Sequence, residues 1–306
     1  MESINVLSLF DGMSCGQIAL ERAGIPIKNY FASEIKKSAI KCAKHNYPNT
    51  IHIGDVRKVS YKNGVLVTEF GRYSVKIDLL IGGSPCQDFS RIKVVDLNRS
   101  GYGLSGDKSS LFYEFLRIKE EIEEYNENLL FLLENVKMKK ESEKELNKYL
   151  SVDGVHINSS LVSFQNRPRV YWTNIKSLTI PNDKNISFQN HKQTENLDEY
   201  KLKKSKLHDR YWMNGNGNNS AFGGCKNVTN AAKVQCLSRK QDRSPNAGLV
   251  QYDDYCRFLT RRELENAQTV PEGYTDCVSY NQAQDLLGDG WTVDVIAHIF
   301  SFMNNE

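Results

Sequence analysis

The sequence lacks the features that direct a chain into a membrane or an oxidising compartment. Its 306 residues contain no apolar run that approaches the ~18 residues needed to span a bilayer. The start, Met1-Glu2-Ser3, has neither the basic residues nor the apolar core of a signal peptide. The seven cysteines are scattered and never form a Cys-x-x-Cys pair, so neither a disulfide framework nor a zinc cluster is expected. The sequence therefore predicts a cytoplasmic protein with reduced thiols, no metal and no membrane partner.

The sequence also has little excess of either charge, but its charges are unevenly distributed. The formal net charge is +3. Residues 176–250 contain 13 basic and 6 acidic residues, whereas the rest of the chain contains 27 and 31. A basic segment on an otherwise acidic chain favours a polyanionic partner, although a solvated basic surface has the same composition. The length suits one large domain, or one domain with an insert.

The start of the chain has the pattern of an α/β fold. Residues 4–10 predict a strand, 11–16 a glycine-containing turn and 17–23 a short helix. Strand, glycine turn and helix together form the beginning of a nucleotide-binding βαβ unit. The turn is not Gly-x-Gly-x-x-Gly, so a dinucleotide pyrophosphate is not implied, and an ordinary βα turn fits the pattern equally well.

Acidic residues follow the next two predicted strands. Glu34 comes after strand 28–33 and lies 24 residues beyond Phe10, close to the spacing at which a second-strand carboxylate reaches ribose hydroxyls. An exposed glutamate that opens the following helix, predicted over 35–47, is the competing interpretation. Asp55 stands in the third apolar run, 51–56. Together, the glycine turn and the two acids predict a nucleoside pocket at the strand ends.

One cysteine stands just beyond a buried strand. The apolar run 77–83 ends in two glycines, and Pro85 then precedes Cys86. Open α/β sheets place their chemistry on such loops, beyond the strand ends. A free cysteine is more often a small inert core residue. The neighbours favour a displayed nucleophile, because they are polar: Ser84, Gln87, Asp88 and Ser90.

The rest of the chain is predicted to contain further elements of the same fold, followed by an irregular module. Residues 91–109 are polar and glycine-dotted and predict a mobile lid. The predicted elements after the lid are a helix over 111–124, a buried strand over 129–133 that ends in Glu134, a lysine-rich helix over 138–150, an antiparallel pair over 155–162 and 169–175, helical pattern over 257–268 and a last helix over 288–300. Between 176 and 255 the periodicity fades, which predicts a separate loop-rich module.

The chain resembles the cytosine-C5 DNA methyltransferases over nearly its whole length. The family's motifs occur in the family's order: Phe10-Asp11-Gly12, Glu34, Asp55, Pro85-Cys86-Gln87, Glu134-Asn135-Val136, Gln165-x-Arg167-x-Arg169 and Arg257-Phe258-Leu259-Thr260-Arg261-Arg262-Glu263. The first motif and Gly82–Cys86 are closest in wording to the de novo type. The chain departs from the bacterial pattern at Ser14, where a second glycine is usual, and at Asp289, where asparagine is usual.

The resemblance implies a Rossmann-like methyltransferase sheet with helices on both faces and a small irregular target-recognition domain. Residues 1–176 and 256–306 would form the catalytic, cofactor-binding domain, and 177–255 the target-recognition domain. The cofactor would be S-adenosyl-L-methionine, converted to S-adenosyl-L-homocysteine. By resemblance, Phe10 stacks on its adenine, Glu34 binds its ribose and Asp55 its amino group. The other cofactor residues implied are Gly12, Met13, Ile35, Val56, Pro85, Leu111, Asp289, Trp291 and Thr292.

The resemblance also implies the chemistry, which is methylation of cytosine C5 in DNA. A thiolate, Cys86, attacks C6 so that C5 becomes enamine-like, which is covalent catalysis. Glu134 hydrogen-bonds to or protonates N3, Arg169 binds O2 and Arg167 helps to orient the covalent intermediate. The target base must first leave the duplex stack. The substrate-binding residues expected are Ser84, Gln87, Ser90, Asn135, Arg239, Lys240 and Arg243.

The expected partner is double-stranded DNA, with a cognate restriction endonuclease as a candidate second partner and the enzyme as a monomer in a bacterial or phage-infected cell. A second hypothesis is a transfer-RNA cytosine-5 methyltransferase with the same chemistry. That branch typically carries a Cys-Phe-Thr signature, which is absent from this sequence. A third is a catalytically inactive scaffold, which intact Cys86, Glu134 and Arg169 disfavour.

Overall fold

The computed structural model describes residues 2–83, 110–203, 226–241, 245–253 and 255–305. Its strands are β1 (Ile4–Leu9), β2 (Ile27–Ser33), β3 (Ile51–Gly54), β4 (Ser60–Lys62), β5 (Val65–Val67), β6 (Arg72–Ser74), β7 (Leu79–Gly83), β8 (Leu130–Val136), β9 (Val155–Asn158), β10 (Pro168–Thr173), β11 (Val250–Gln251) and β12 (Cys256–Arg257). Its α-helices are α1 (Cys15–Arg22), α2 (Lys37–Asn46), α3 (Ser110–Glu123), α4 (Lys140–Leu150), α5 (Arg261–Ala267), α6 (Tyr280–Asp289) and α7 (Val293–Phe300).

A seven-stranded sheet positions the site. Its order is β3-β2-β1-β7-β8-β10-β9, with β3 to β8 parallel and β10 antiparallel to both of its neighbours. The chain runs from β1 outward to β3 and then returns to the other side of β1 with β7. This reversal places a topological switch point between the carboxyl ends of β1 and β7, where open α/β sheets bind their ligands.

The two faces of the sheet bury separate hydrophobic clusters. Along β7, Leu79 and Ile81 point into one cluster and Leu80 into the other. A parallel sheet that is covered on both faces needs such continuous apolar strands. Helix α7 packs on α1 and shares the first cluster with Val6 of β1, which accounts for the apolar stripe at the end of the chain. The predicted α/β class with helices on both faces is therefore confirmed.

Several predicted boundaries move for physical reasons. The helix predicted over 35–47 begins only at Lys37, because the backbone amides of Ile35 and Lys36 donate to the Glu34 carboxylate instead. Glu134 lies within β8 rather than after it, since pairing with β10 extends the strand to Val136.

Two stretches differ more strongly from the prediction. The single helix predicted over 288–300 is wrong. The chain is extended at Gly290, so α6 ends at Asp289 and α7 begins at Val293. A three-stranded antiparallel sheet, β4-β5-β6, lies where no strand was predicted. Its strands have three residues each, which is too short for a periodic pattern to be recognised.

The described residues between 177 and 255 have little regular structure but a shared core. Phe188, Val234, Leu237 and Val250 belong to the same buried cluster as the sheet residue Val6. Whether 177–255 forms a separate recognition domain remains a prediction. Every helix in the described ranges is too short or too polar to cross a bilayer.

Candidate active site

The carboxyl ends of β7 and β8 bring the predicted catalytic acid to the switch point. Gly83 at the end of β7 is in parallel register with Glu134 of β8. A Cβ atom added at Gly83 would lie 3.1 Å from Glu134 Oε2 and 2.7 Å from Trp291 Nε1. Only glycine leaves room for this corner, and Cys86 follows three residues later. The expected nucleophile therefore follows directly on a strand that contacts the expected acid.

Glu134 is buried and held from two sides. Only 9% of the residue is exposed. Trp291 Nε1 donates to Oε2 at 3.1 Å, and Arg169 Nε lies 2.9 Å from Oε1. Trp291 comes from the turn between α6 and α7, and Arg169 from β10. Three separate parts of the chain thus converge on one carboxylate.

Arg169 is a nearly buried cation whose donors have defined acceptors. Besides Glu134, it donates to the Pro168 carbonyl at 2.9 Å and contacts Cys236 Sγ at 3.8 Å. Burial lowers the pKa of Arg169, but the charge of Glu134 and other neighbours outweighs this, and the net pKa lies above its ordinary value. The guanidinium therefore stays charged beside the carboxylate.

Arg167 lies deeper than Arg169 and connects separate backbone segments. It donates to the carbonyls of Leu237 at 2.8 Å, Gly288 at 3.0 Å and Gly290 at 2.9 Å. Burial, followed by the charge of Arg169, lowers the pKa of Arg167. These contacts give it a positioning role, and the predicted role in orienting an intermediate remains a prediction.

The turn after β1 adopts a strained conformation around open space. Phe10, Gly12 and Ser14 have φ values of 57°, 61° and 64°, a region in which non-glycine residues are uncommon. No atom of the described residues lies within 4 Å of a Cβ added at Gly12. At Ser14, where the bacterial relatives usually have glycine, the backbone conformation is one that glycine adopts without cost.

The two strand-end acids occupy the ends of β2 and β3, as predicted. Glu34 Oε2 accepts from Gly12 N at 2.8 Å, which ties the first turn to the second strand. Asp55 accepts from Arg57 N at 3.0 Å, and the hydrogen bond from the Arg57 side chain lowers the pKa of Asp55. Glu34 also accepts from the amides of Ile35 and Lys36 just before α2, which agrees with the interpretation of Glu34 as the residue that opens this helix. Ribose and amino-group binding remain predictions.

The other expected cofactor residues surround the same strand ends. Ile35 is 68% exposed, an unusual state for a large aliphatic side chain beside an open turn. Met13, Val56 and Thr292 are buried. Leu111 is partly buried at the start of α3. Thr292 donates to Gln268 Oε1 at 2.8 Å and accepts from Ser159 at 2.8 Å, so it supports the α6–α7 turn.

Asp289 connects the cofactor side to the predicted recognition segment. Its Oδ2 lies 3.2 Å from Lys36 Nζ and 3.6 Å from Arg239 Nε. Lys240 N donates to Asp285 Oδ1 at 3.0 Å. Two predicted base-reading residues, Arg239 and Lys240, thus contact α6. Their DNA contacts remain predictions.

Asn135 and several other predicted site residues need separate mention. Asn135 is buried, and its Oδ1 accepts from Val136 N at 2.8 Å. The residues that lie outside the described part of the chain are Ser84, Pro85, Cys86, Gln87, Ser90 and Arg243, together with the predicted lid 91–109. In the ranges that the structure covers, no group of His, Cys, Asp and Glu side chains could hold a metal ion.

Two residues that the sequence did not single out belong to the site. Asp11 accepts hydrogen bonds from Ser14 and from Tyr30 at 2.7 Å. Burial raises the pKa of Asp11 to about 6. Cys236 contacts both Arg167 and Arg169. The motif around Asp11 was a sequence signal for the first of these, whereas nothing local marked Cys236.

The fold and this corner define an α/β methyltransferase of the S-adenosylmethionine-dependent class. The chain belongs to the C-5 cytosine-specific DNA methylase family, whose model matches residues 4–305. Among solved structures, the Dnmt2 methyltransferase of S. pombe superposes with a TM-score of 0.73 at 17% identity, covering 99% of this chain and 98% of that one. At that identity the likeness shows the fold alone.

Curated relatives come from phages, bacteria and plants. The orphan methyltransferase M.Rho11sI of Bacillus phage rho11s is 33% identical over 60% of this chain and 35% of its own length. The type II methyltransferase M1.ScrFI of Lactococcus lactis subsp. cremoris is 26% identical over 95% of this chain and 75% of its own. The chain spans 35% and 40% of the two phage relatives it matches.

Proposed function

We propose that the protein is a DNA (cytosine-5-)-methyltransferase that moves a methyl group from S-adenosyl-L-methionine to C5 of a cytosine flipped out of duplex DNA. The observation that carries the proposal is the corner formed by Gly83, Glu134, Arg169 and Trp291 at the switch point of a family-matched chain. The names of the phage and bacterial relatives favour DNA as substrate and a bacterial or phage-infected cytoplasm as the location.

The residues present fit the cofactor. Within the described part of the chain, the space around Gly12 is free of atoms within 4 Å of an added Cβ, the exposed aliphatic side chain of Ile35 suits an adenine ring, and Glu34 offers a carboxylate for ribose hydroxyls. When bound, the sulfonium supplies an electrophilic methyl group. Phe10 and Ile35 hold the adenine, Glu34 the ribose and Asp55 the amino group. Trp291, which would line the same pocket, is hydrogen-bonded to Glu134.

The base is activated by three groups: Cys86, which follows β7 in the sequence, Glu134 of β8 and Arg169 of β10. The Cys86 thiolate forms a bond to C6, and the electrons of the C5–C6 double bond become available at C5. C5 then takes the methyl group, whose bond to the sulfonium sulfur breaks, so that S-adenosyl-L-homocysteine leaves. Glu134 hydrogen-bonds to or protonates N3, while Arg169 donates to O2. Loss of H5 to a base then returns the electron pair to the ring and breaks the S–C6 bond. Positioned acid catalysis of this kind typically contributes ~10²–10⁴-fold.

Methyl transfer from labelled S-adenosylmethionine tests this proposal directly. We expect label in duplex DNA, and bisulfite sequencing of DNA from expressing cells will give the recognised sequence. A covalent adduct with 5-fluorocytosine DNA should form with the natural protein and be absent in Cys86→Ala. An adduct that persists in Cys86→Ala would refute the nucleophile assignment.

Glu134→Gln tests the acid. The change keeps size and one hydrogen-bond acceptor but removes the ionisable proton, so we expect methyl transfer to fall by ~10²–10⁴-fold. Binding of S-adenosylmethionine, measured calorimetrically, should remain within a small factor. Unchanged turnover would exclude Glu134 as the group that acts at N3.

Transfer RNA is the second candidate substrate. A competition assay with equal amounts of duplex DNA and tRNA separates the two. Label in tRNA alone would reject DNA as the substrate and favour a tRNA cytosine-5 methyltransferase. The names of the relatives support two options, an enzyme with a partner endonuclease and an enzyme without one. One relative is called an orphan methyltransferase and another a type II methyltransferase.

A further inference from the structure

A segment of the predicted recognition module runs directly along the catalytic corner. Val234 N donates to the Phe164 carbonyl at 2.8 Å, and Leu237 N donates to Gln165 Oε1 at 2.8 Å. Both Val234 and Leu237 are buried. The backbone around residue 236 is therefore anchored on both sides to Phe164 and Gln165, which lie just before Arg167 and strand β10.

Cys236 projects from this segment onto the two arginines. Its Sγ accepts from Arg167 Nη1 at 3.4 Å and from Arg169 Nη2 at 3.8 Å. Its thiol lies 3.4 Å from the Leu237 carbonyl, to which it donates. The thiol is half-buried. The thiol therefore has a fixed orientation. It contacts Arg169, the residue that pairs with Glu134.

The contact completes the restraint of Arg169. Glu134 holds Nε at 2.9 Å and the Pro168 carbonyl holds Nη1 at 2.9 Å, which leaves Nη2 to Cys236. A long side chain fixed on only two of its donors can still rotate its guanidinium plane. A sulfur acceptor is weak, so it orients the third donor without binding it as tightly as a carboxylate would.

We propose that Cys236 is a positioning residue that sets the guanidinium plane of Arg169 towards Glu134 and the target base. Through it, the predicted recognition module contributes a side chain to the catalytic corner. The inference rests on the proposed function, because the base is what Arg169 is positioned to bind.

Three substitutions test this role in methyl transfer. Cys236→Ala removes the acceptor, so we expect kcat at saturating DNA and cofactor to fall by about 10- to 100-fold, the size typical of a misplaced catalytic group. The KM for S-adenosylmethionine should stay within about twofold of the natural value. Cys236→Ser restores an acceptor and should recover most of kcat. Cys277→Ala removes a half-buried free thiol that lies against Cys42 of α2, and it should leave kcat unchanged.

The outcomes decide the proposal without ambiguity. Unchanged kcat in Cys236→Ala overturns it, as does a Cys236→Ser variant that is as slow as Cys236→Ala. If Cys236 acts through Arg169, then Cys236→Ala should cost less than about twofold in an Arg169→Met background, since coupled residues are not additive. Equal losses in both backgrounds would also overturn the proposal.

A measurement without substrate separates this inference from the proposed function. Urea unfolding of the free protein should show non-additive shifts for Cys236→Ala and Arg169→Met, because the two groups touch. The pair Cys236→Ala and Arg22→Met should be additive, since Arg22 pairs with Asp294 instead. Additive behaviour of Cys236 with Arg169 rejects the contact. Absence of methyl transfer by the natural protein rejects the proposed function and leaves the unfolding test to decide the contact.

Discussion

At the scale of single residues, charge state and volume control the site. Asp11 holds Ser14 and Tyr30 around the strained turn, and Gly83 keeps the corner clear for Glu134. Neither residue has the reactive chemistry of Cys86. Asp11 acts through its charge state and Gly83 through its small volume. An extra charge at Asp11 or a methyl group at Gly83 changes the geometry of the groups around it.

Asp11→Asn should make stability respond to pH in a predictable direction. Because the pKa of Asp11 is raised to about 6, folded Asp11 keeps its proton between pH 4 and 6, whereas the unfolded chain has lost it. The stabilisation from that proton is complete below the unfolded pKa and is lost as pH rises through 6. As pH rises from 4 to 7, the free energy of unfolding of Asp11→Asn should therefore increase by about 1–3 kcal/mol relative to that of the natural protein.

Asp55→Asn is the matched control with the opposite sign. Its pKa is lowered by the hydrogen bond from Arg57, so its contribution is present at neutral pH and is lost on acidification. Urea titrations of both variants at pH 4, 5, 6 and 7 give the comparison. Parallel pH profiles for Asp11→Asn and the natural protein would contradict the raised pKa.

Gly83→Ala should impair catalysis more than folding. The added Cβ would lie 2.7 Å from Trp291 Nε1 and 3.1 Å from a Glu134 oxygen, so the carboxylate must move. We expect kcat to fall by about 10²-fold, as for other displacements of reacting groups. Gly71→Ala, whose nearest neighbour would be Tyr73 at 3.4 Å, should change kcat by less than about twofold. Equal kcat in the two variants would contradict the steric argument.

At the scale of elements, the turn between α6 and α7 is the structural centre of the site. It provides Trp291 to Glu134, Thr292 to Gln268 and the Gly290 carbonyl to Arg167, which also binds the Gly288 carbonyl near the end of α6. A Cβ at Gly288 would lie 2.5 Å from the Ser238 backbone, so the end of α6 also contacts the segment that carries Cys236. The end of α6 and this turn thus join the predicted cofactor side, the proposed catalytic acid and the predicted recognition module.

Arg167→Met should destabilise the protein through this turn. The change leaves buried carbonyls of Leu237, Gly288 and Gly290 short of donors, so we expect the free energy of unfolding to fall by about 3 kcal/mol. Arg22→Met, at an ion pair that is partly exposed, should cost less than about 1 kcal/mol. Urea denaturation at neutral pH measures both. A loss in Arg167→Met as small as in the control would show that water replaces the guanidinium.

At the scale of the whole molecule, a buried ion pair joins distant parts of the chain. Arg257 and Glu263 are both fully buried and contact each other through two 2.8 Å hydrogen bonds. The backbone N–H of Gln193 donates to Glu263 at 2.8 Å, and the backbone carbonyl of Gln193 accepts from Arg257 at 3.0 Å. Both members of the pair follow residue 255, and their hydrogen bonds to Gln193 connect the pair to the predicted 177–255 segment.

Glu263→Gln should be among the most destabilising single changes in this protein. It leaves the Arg257 charge buried without a counter-charge, which typically costs about 3–5 kcal/mol. Glu272→Gln, at a mostly exposed carboxylate 3.6 Å from Arg262, serves as the control and should change stability by less than about 1 kcal/mol. Thermal unfolding midpoints compare the two. Equal midpoints would mean that the pair contributes nothing to cohesion of the fold.

Local pattern was enough to predict the first three strands, the turn after β1, the acids at two strand ends and the family, because periodicity and motif spacing are encoded by neighbouring residues. The contact of Trp291 with Glu134 joins residues 157 positions apart, and that of Cys236 with Arg169 joins residues 67 apart. Periodicity carries no information about such pairs, since they depend on the path of the chain between them. The break between α6 and α7 has the same origin, because buried partners rather than helix propensity decide where the chain turns.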